Sequence, residues 1–293
     1  MYTVKVDIIY NDIYNIVKKG RYEMKTIVFF NNKGGVGKTA SVTTVAHMLA
    51  TEYQKKVLLI DLDPQMNSTC MFSDVDFVEQ FKQNYSREYH RIEKSIEDLL
   101  LDKNMDIHEC IKETKYENLD IIPSFLTLSE AEERMKADVR SPQQFRLQRH
   151  LFNVQNEYDY CIIDTSPSVS IININGLVAA DEVYLPLRCD GGSLLGVSMT
   201  MNIVETVAEY NPKLKVGGMF FTQWNGRKNV SKVVYDLLQN TFSEFILPVT
   251  IRSSKNIEEG SIVQIPLLAY DSGQNKSGVT EDYMKLTEYI VNR

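Results

Sequence analysis

The part of the sequence that most constrains the fold is a glycine-rich segment at residues 31–39, Asn-Asn-Lys-Gly-Gly-Val-Gly-Lys-Thr, which directly follows an apolar run. Glycines let the backbone approach a bound group closely, and they adopt the positive φ that tight loops require. The N–H groups of such a loop and the N-terminus of the helix that follows bind anions. We therefore expect a strand, a phosphate-binding loop and a helix in succession.

Two residues at the end of this loop carry the expected chemistry. Lys38 can place its charge on the β- and γ-phosphates of a nucleotide, and the Thr39 hydroxyl can bind Mg²⁺. The usual pattern has glycine at the first position of the loop, where this chain has Asn32, and a second lysine, Lys33, follows it. The segment therefore predicts a nucleoside triphosphate site of an atypical form.

Apolar runs rich in β-branched residues alternate with segments of helical period along the chain. The runs lie at 26–31, 56–61, 119–122, 160–164, 182–187 and 216–221, and the candidate helices lie at about 39–53, 92–101, 128–138, 143–156, 193–209, 229–241 and 278–291. This alternation predicts an α/β fold, a mostly parallel twisted sheet with helices on both faces. Such sheets bind ligands beyond the carboxyl ends of their strands.

Two of the apolar runs end in acidic residues. The second run ends at Asp61, with Asp63 two residues later, and the fourth ends at Asp164. We expect these carboxylates to face the phosphate loop, where one can orient a water and another can hold Mg²⁺. An Asp-x-Asp at a strand end is by itself more often a helix cap or a turn. The prediction depends on the three segments occurring together in this order.

The three segments together resemble the ParA/MinD family of P-loop ATPases, which carry a deviant Walker A loop with an extra lysine. Asp-Leu-Asp-Pro-Gln at 61–65 resembles the D-x-D-P-Q segment of that family, and residues 158–168 resemble its Walker B strand and switch. The asparagine before Lys33 is similar to the ParA partition branch. The resemblance covers residues 25–293, and it departs at Ser166, where the family usually has proline.

The resemblance implies a role for each matching residue. Lys33, Lys38 and Asp63 are the expected catalytic residues, with Asp63 positioning the attacking water and Asp61 supporting it. Lys33 would reach the nucleotide of a partner across a two-fold interface. Thr39 and Asp164 would hold Mg²⁺. The expected ATP-binding residues are Lys33, Gly34, Gly35, Val36, Gly37, Lys38, Thr39, Ala40 and, near the adenine, Asn225.

The resemblance also implies a function, that of a Mg²⁺-dependent ATPase acting as a dimerising switch. The ATP-bound homodimer would bind nonspecific double-stranded DNA and partition plasmid or chromosomal DNA with a ParB-like centromere-binding adaptor. The net charge is −7, but residues 211–293 hold ten Lys/Arg and eight Asp/Glu. Seven of these basic residues are candidates for one DNA-binding patch, the alternative being that they are ordinary surface residues: Lys213, Lys215, Arg227, Lys228, Lys232, Arg252 and Lys255.

A domain at 25–293 is expected to follow an N-terminal extension, residues 1–24. Ile9, Ile13, Ile16 and Val17 share one helical face there, which predicts a short helix. With about 24 residues ahead of the domain, we expect no winged helix-turn-helix module. No apolar stretch is long enough to span a bilayer, and no secretory signal is apparent. We expect a cytoplasmic, nucleoid-associated protein.

Three alternatives remain open at this stage. A MinD-like membrane switch would need a basic amphipathic C-terminal helix, whereas the apolar face of 278–291 predicts core packing, so no stable membrane association is expected. An electron-transfer ATPase would need cluster-binding cysteines, for which only Cys110 and Cys161 are candidates by position. An ATPase that positions another cargo is not distinguished from partition by the sequence.

Overall fold

One eight-stranded sheet forms the centre of the molecule. The computed structural model describes residues 23–73, 94–139, 141–271 and 277–293. The strands in these ranges are β1 (Lys25–Phe29), β2 (Val57–Leu62), β3 (Lys112–Glu113), β4 (Leu119–Ile122), β5 (Tyr160–Thr165), β6 (Glu182–Arg188), β7 (Lys215–Trp224) and β8 (Ile246–Arg252). Their order is β3-β4-β2-β5-β1-β6-β7-β8, and only the β3–β4 pair is antiparallel.

Helices cover both faces of this sheet, as the sequence predicts. They are α1 (Lys38–Thr51), α2 (Asn67–Phe72), α3 (Ile96–Leu101), α4 (Leu128–Ala137), α5 (Arg146–Leu151), α6 (Ile171–Ala179), α7 (Ser193–Ala208), α8 (Asn229–Phe242), α9 (Lys255–Ile262), α10 (Leu267–Tyr270) and α11 (Gly278–Val291). Side chains alternate across a strand. Ile27 of β1 therefore joins the core under α1 and α11, and Val28 joins the core under α6 and α7. The predicted α/β fold is confirmed.

The strand order brings together the strand ends that carry the candidate site residues. β1 lies between β5 and β6, and β2 lies on the other side of β5. The glycine-rich segment leaves the carboxyl end of β1, and the acidic segments leave the ends of β2 and β5. In the β2–β5 ladder Asp61 is the direct register partner of Asp164. The residues singled out in the sequence thus share one edge of the sheet.

Several elements differ from the sequence-based prediction, among them α2, α9, α10 and β3, which the sequence analysis did not predict. The predicted helix at 143–156 is shorter, a 3₁₀ turn at Gln143–Phe145 followed by α5. Helix α6 was not predicted, because isoleucine, asparagine and glycine have low helix propensity; its start is capped by Ser170, whose Oγ accepts from the Asn173 N–H at 3.1 Å. Strand β8 was missed because it contains Pro248, which only an edge strand accommodates readily.

The ends of the described chain pack onto this core. Met24 is buried, and its N–H donates to the Gln155 carbonyl at 3.1 Å. Residues 1–22 lie outside the described residues, so the N-terminal helix stays a prediction. The apolar face of α11, with Val279, Leu286 and Ile290, is fully buried, and the expected core packing of this helix is confirmed. None of the helices in the described ranges has the length and apolar character needed to cross a membrane.

Candidate functional site

The glycine-rich loop adopts the backbone conformation that its sequence predicts. Gly35 has φ 69° and Gly37 has φ 81°, in the left-handed region where a side chain would be strained. The far side of the loop is tied to β7, because the Thr222 hydroxyl donates to the Val36 carbonyl at 2.8 Å and the Gln223 amide donates to the Gly35 carbonyl at 3.1 Å. Two consecutive residues of β7 therefore fix the far side of the loop.

Asn31 fixes the near side of the loop. Its Nδ2 donates to the Pro186 carbonyl in β6 at 2.8 Å, and its Oδ1 accepts from the Lys33 N–H at 2.9 Å. At the position where the usual motif has glycine, the Asn32 N–H lies 3.5 Å from the Thr200 hydroxyl of α7. The atypical start of the loop is thus bonded to β6 and α7 through side chains.

Lys38 is buried at the base of the loop, with 6% of its surface exposed. Its Nζ donates to the carbonyls of Asn31 at 3.0 Å and Lys33 at 3.2 Å. Burial lowers the pKa of Lys38, while the charges of Asp164 and Asp63 oppose this shift. The ammonium group is therefore held between the loop and the acidic strand ends, where it can exchange carbonyl partners for phosphate oxygens.

Asp61 and Asp164 are adjacent, fully buried carboxylates with different partners. Asp61 accepts from the Asp63 N–H at 3.0 Å and from the N–H and hydroxyl of Thr69 at 2.9 and 2.8 Å. Asp164 accepts from the Ser68 hydroxyl at 2.7 Å through Oδ2. Desolvation raises the pKa of both groups, and the charge of Asp164 adds to the shift at Asp61. Protein groups occupy both oxygens of Asp61, so its position suits support of the turn that carries Asp63.

The other oxygen of Asp164 supports the predicted Mg²⁺ site. Oδ1 is buried and has no hydrogen-bond partner among the described residues. Against the larger raising effect of burial, the Thr39 hydroxyl lowers the pKa of Asp164, so the two predicted ligands lie near one another. The described chain contains no cluster of three or more His, Cys, Asp or Glu suited to a metal. One carboxylate and one hydroxyl fit Mg²⁺, which takes its remaining ligands from waters and phosphates.

The raised pKa of this buried pair predicts a pH-dependent stability. In the unfolded chain the carboxyls ionise near the ordinary aspartate value, about 3.9. Their contribution to stability is fully present below that value and is lost as the pH rises through the raised folded values. We expect the free energy of unfolding of the nucleotide-free protein to fall by roughly 1–3 kcal/mol over this interval. Urea unfolding between pH 4 and 8 measures it.

The variant Asp164→Asn should remove at least half of that decline, since asparagine carries no charge to desolvate. Asp236→Asn, at an exposed position on α8, is the matched control and should keep the wild-type slope. Equal slopes for Asp164→Asn and the wild type would contradict the assignment of the pH dependence to this pair.

Asp63 lies on the turn that leaves β2, with 6% of its surface exposed. One carboxylate oxygen accepts from the Gln65 N–H at 2.9 Å, and the Asp63 carbonyl accepts from the Ser124 hydroxyl at 2.8 Å. Met66 closes the turn in the left-handed conformation, with φ 58°. Burial raises the pKa of Asp63 while the Lys38 charge lowers it, so Asp63 lies within range of the Lys38 charge. A carboxylate held this way next to the phosphate lysine can orient a water.

The segment after Asp164 forms the opposite wall of the loop. A Cβ on Gly34 would lie 3.7 Å from the Pro167 side chain. Ser166, the departure from the family pattern, bonds through its hydroxyl to that of Ser168 at 2.9 Å. Asn173 of α6 donates to the carbonyls of both serines, at 2.9 and 2.7 Å. A hydroxyl pair and a buried amide thus hold this wall where a proline is usual.

Lys33 does not point into its own loop. Its Nζ forms an ion pair with Asp190, which follows β6. Arg188, at the end of the same strand, lies close to the loop, since a Cβ on Gly35 would be 3.7 Å from its guanidinium. Asn225 is exposed beyond the end of β7, three residues after the Thr222 that binds the loop, and its Oδ1 accepts from the Arg227 N–H at 3.1 Å. Its adenine contact stays a prediction.

The single basic patch expected from the sequence is wrong, because the sheet separates its members. Lys213 and Lys215 stand at the amino end of β7, and the others follow the carboxyl ends of β7 and β8. A ten-residue strand spans about 30 Å. Arg252 is also bound to Asp282 through two nitrogens, at 2.7 and 2.8 Å. Lys255 pairs with Glu259 at 3.6 Å, so the exposed basic cluster that follows the carboxyl end of β7 is Arg227, Lys228 and Lys232.

Sequence reasoning missed several residues that shape the site. Ser68 and Asn173 are buried polar residues, and Asp190 follows a strand of the predicted sheet. Position in the sequence could have indicated two of these residues. Ser68 lies in the segment after Asp63, and Asp190 follows strand β6 just as the phosphate loop follows β1. Asn173 gave none, because its helix was not predicted. The cysteines proposed for a cluster, Cys110 and Cys161, are fully buried in the core, which disfavours a cluster bridging two subunits.

The chain is similar to known proteins along most of its length. A family described as an AAA domain matches residues 24–216. The chain is 32% identical to the sporulation initiation inhibitor protein Soj of Bacillus subtilis over 91% of this chain and 98% of Soj. It is 31% identical to the chromosome-partitioning ATPase Soj of Treponema pallidum over 92% of this chain and 98% of that protein.

A solved structure shares the fold. The chain superimposes on McdA of Cyanothece, determined as an ATP complex, with a TM-score of 0.76 and 22% identity, over 93% of this chain and 98% of McdA. The phosphate loop, the acidic strand ends and the long matches to both Soj proteins agree with the resemblance found in the sequence. The chain belongs to the AAA-domain family that includes the Soj and ParA chromosome-partitioning proteins.

Proposed function

We propose that the protein is an ATP-hydrolysing partition switch, which dimerises with ATP bound and then binds nonspecific DNA. The observation that carries the proposal is the meeting of Lys38, Asp63 and Asp164 at the glycine-rich loop. Membership in the Soj/ParA family and the ATP complex of McdA support it. The domain that performs this function is residues 25–293.

The chemistry assigns one task to each group of the site. The amides of Gly34, Gly35, Val36 and Gly37, with Lys38, Thr39 and Ala40, hold the phosphates, and Lys38 offsets the charge that develops during transfer. Asp63 orients the water in line with the γ-phosphate. Thr39 and Asp164 hold Mg²⁺, which supplies charge neutralisation at the phosphate oxygens. The products are ADP and phosphate.

Lys33 is assigned to the nucleotide of a second copy. A lysine next to Lys38 would suffer like-charge repulsion if both faced one phosphate group. The side chain of Lys33 instead leaves its own loop toward α7. In an ATP-bound homodimer the two lysines would each cross the interface, which makes ATP necessary for dimerisation.

The DNA-binding surface is assigned to Arg227, Lys228 and Lys232 at the start of α8, and dimerisation would double it. Each phosphate neutralised by a lysine or arginine adds about −0.9 to the log–log salt slope of binding. A ParB-like centromere-binding adaptor would stimulate hydrolysis and release the DNA. The protein would then be cytoplasmic and nucleoid-associated, with no stable membrane association, which agrees with the buried face of α11.

DNA retention with ATP, with ADP and without nucleotide, at two salt concentrations, tests this function. We expect retention with ATP alone, lost at the higher salt and in Lys38→Met. The pair Lys228→Ala and Lys232→Ala should reduce the salt slope of the dimer by about 3.6, because each protomer loses two contacts at roughly 0.9 each. The control pair Lys213→Ala and Lys215→Ala, at the far end of β7, should keep the wild-type slope. Retention that is indifferent to nucleotide would reject the function, and ATP-dependent sedimentation with liposomes instead of DNA would favour a membrane switch.

A further inference from the structure

The side chain of Lys33 packs against the first turns of α7. Its ammonium contacts the Asp190 carboxylate, and the two side chains are 29% and 37% exposed. A Cβ on Gly192 would lie 3.5 Å from Nζ, and a Cβ on Gly196 would lie 4.0 Å from the Lys33 Cβ. The lysine stem therefore lies in van der Waals range of this helical turn.

The Asp190 carboxylate that binds Lys33 is itself held in place by other hydrogen bonds. Asp190 Oδ1 accepts from the Gly192 N–H at 3.2 Å and from the Ser193 hydroxyl at 3.0 Å, in addition to Lys33. Although burial favours the neutral form, the bonds from Lys33 and Ser193 keep the pKa of Asp190 below its usual value. The group is a fixed anion at neutral pH.

This contact competes with the role proposed for Lys33 across the dimer. An ammonium that neutralises Asp190 is not available to a phosphate of a second copy, and a carboxylate next to that phosphate would repel it. When Lys33 leaves, Asp190 retains the Gly192 and Ser193 bonds, and Arg188 Nε lies 3.8 Å from its Oδ2. The carboxylate can therefore release the lysine without becoming an isolated charge.

We propose that Asp190 is a positioning residue that holds Lys33 on α7 in the free protomer and releases it to the nucleotide of a second copy. The inference rests on the proposed function, because it needs Lys33 to act across the dimer. Asp190 then sets the protein concentration at which the ATP-bound dimer forms, since two such ion pairs open for each dimer.

The test is sedimentation of the full chain with a non-hydrolysable ATP analogue and Mg²⁺. Half-exposed ion pairs contribute little individually. Opening two of them predicts a dimer dissociation constant about 3- to 20-fold lower in Asp190→Asn than in the wild type. Binding of a fluorescent ATP analogue to the protomer, at concentrations below dimerisation, should change by less than about twofold. Glu205→Gln, an exposed charge change on the same helix, is the matched control and should dimerise as the wild type does.

A second experiment distinguishes the role of Lys33 across the dimer from the role of Asp190 in the free protomer. Lys33→Ala should abolish dimerisation with the analogue, and adding Asp190→Asn to it should not restore the dimer. If Lys33→Ala dimerises normally, Lys33 does not act across the dimer, and the role proposed for Asp190 is contradicted as well. If Lys33→Ala fails to dimerise while Asp190→Asn and Asp190→Ala dimerise no better than wild type, only the role of Asp190 is overturned. Restoration in the double variant would overturn it as well.

Discussion

Replacing Lys38 by methionine is expected to abolish ATP binding while the protein stays folded. Lys38 is buried against Asp63 and Asp164, and removing one partner of a buried charge-assisted contact costs about 2–5 kcal/mol. That corresponds to a loss of about 30-fold to about 4000-fold in ATP affinity. Methionine fills a similar volume but leaves Asp63 and Asp164 without the lysine charge, so the melting temperature of the nucleotide-free protein should fall while the protein remains folded. Titration with a fluorescent ATP analogue and thermal unfolding give the two measurements.

The control for this variant is Lys103→Ala, which removes an exposed lysine far from the loop in sequence. It should bind ATP as the wild type does. ATP affinity within threefold of wild type in Lys38→Met would show that the ammonium does not reach the phosphates, and the assignment of the loop would fail. A lower melting temperature with normal binding would point to a structural role instead.

Replacing Asp63 by alanine is expected to stop hydrolysis and leave ATP binding intact. A positioned acid or base group contributes about 10²- to 10⁴-fold to a rate, so kcat should fall by at least ~100-fold. The KM for ATP should stay within about threefold, because Asp63 acts on the water and not on the phosphates. Phosphate release under saturating ATP measures kcat.

The same variant should remain ATP-bound, dimeric and retained on DNA, since the switch cannot return to its ADP state. The exposed Asp236→Ala is the control for loss of a carboxylate, and its turnover should equal that of the wild type. A kcat for Asp63→Ala within tenfold of wild type would show that another group orients the water. Loss of DNA retention together with turnover would show that the ATP-bound, DNA-binding state needs Asp63, and it would contradict the assignment of Asp63 to the water alone.

The sequence was sufficient for the parts of the site that depend on local conformation. The loop at 31–39 needs glycine at two left-handed positions, and the structure has positive φ at Gly35 and Gly37. Asp61 and Asp164 end apolar strands of one parallel sheet, so strand alternation alone predicts that they meet. Helix α6 escaped prediction because its stability comes from buried Asn173 and Asn175 contacts and not from helix propensity.

By itself the sequence determined the α/β class, the phosphate loop and the edge of the sheet at which the acidic residues meet. These follow from hydrophobic period and glycine placement, which are local properties of the chain. Only the tertiary structure decided that both oxygens of Asp61 accept hydrogen bonds while Oδ1 of Asp164 accepts none from the described residues. It also decided that Lys33 pairs with Asp190 and that β7 separates the basic residues into two groups. Such facts depend on which distant segments become neighbours, and packing sets those distances in a way that no local pattern encodes.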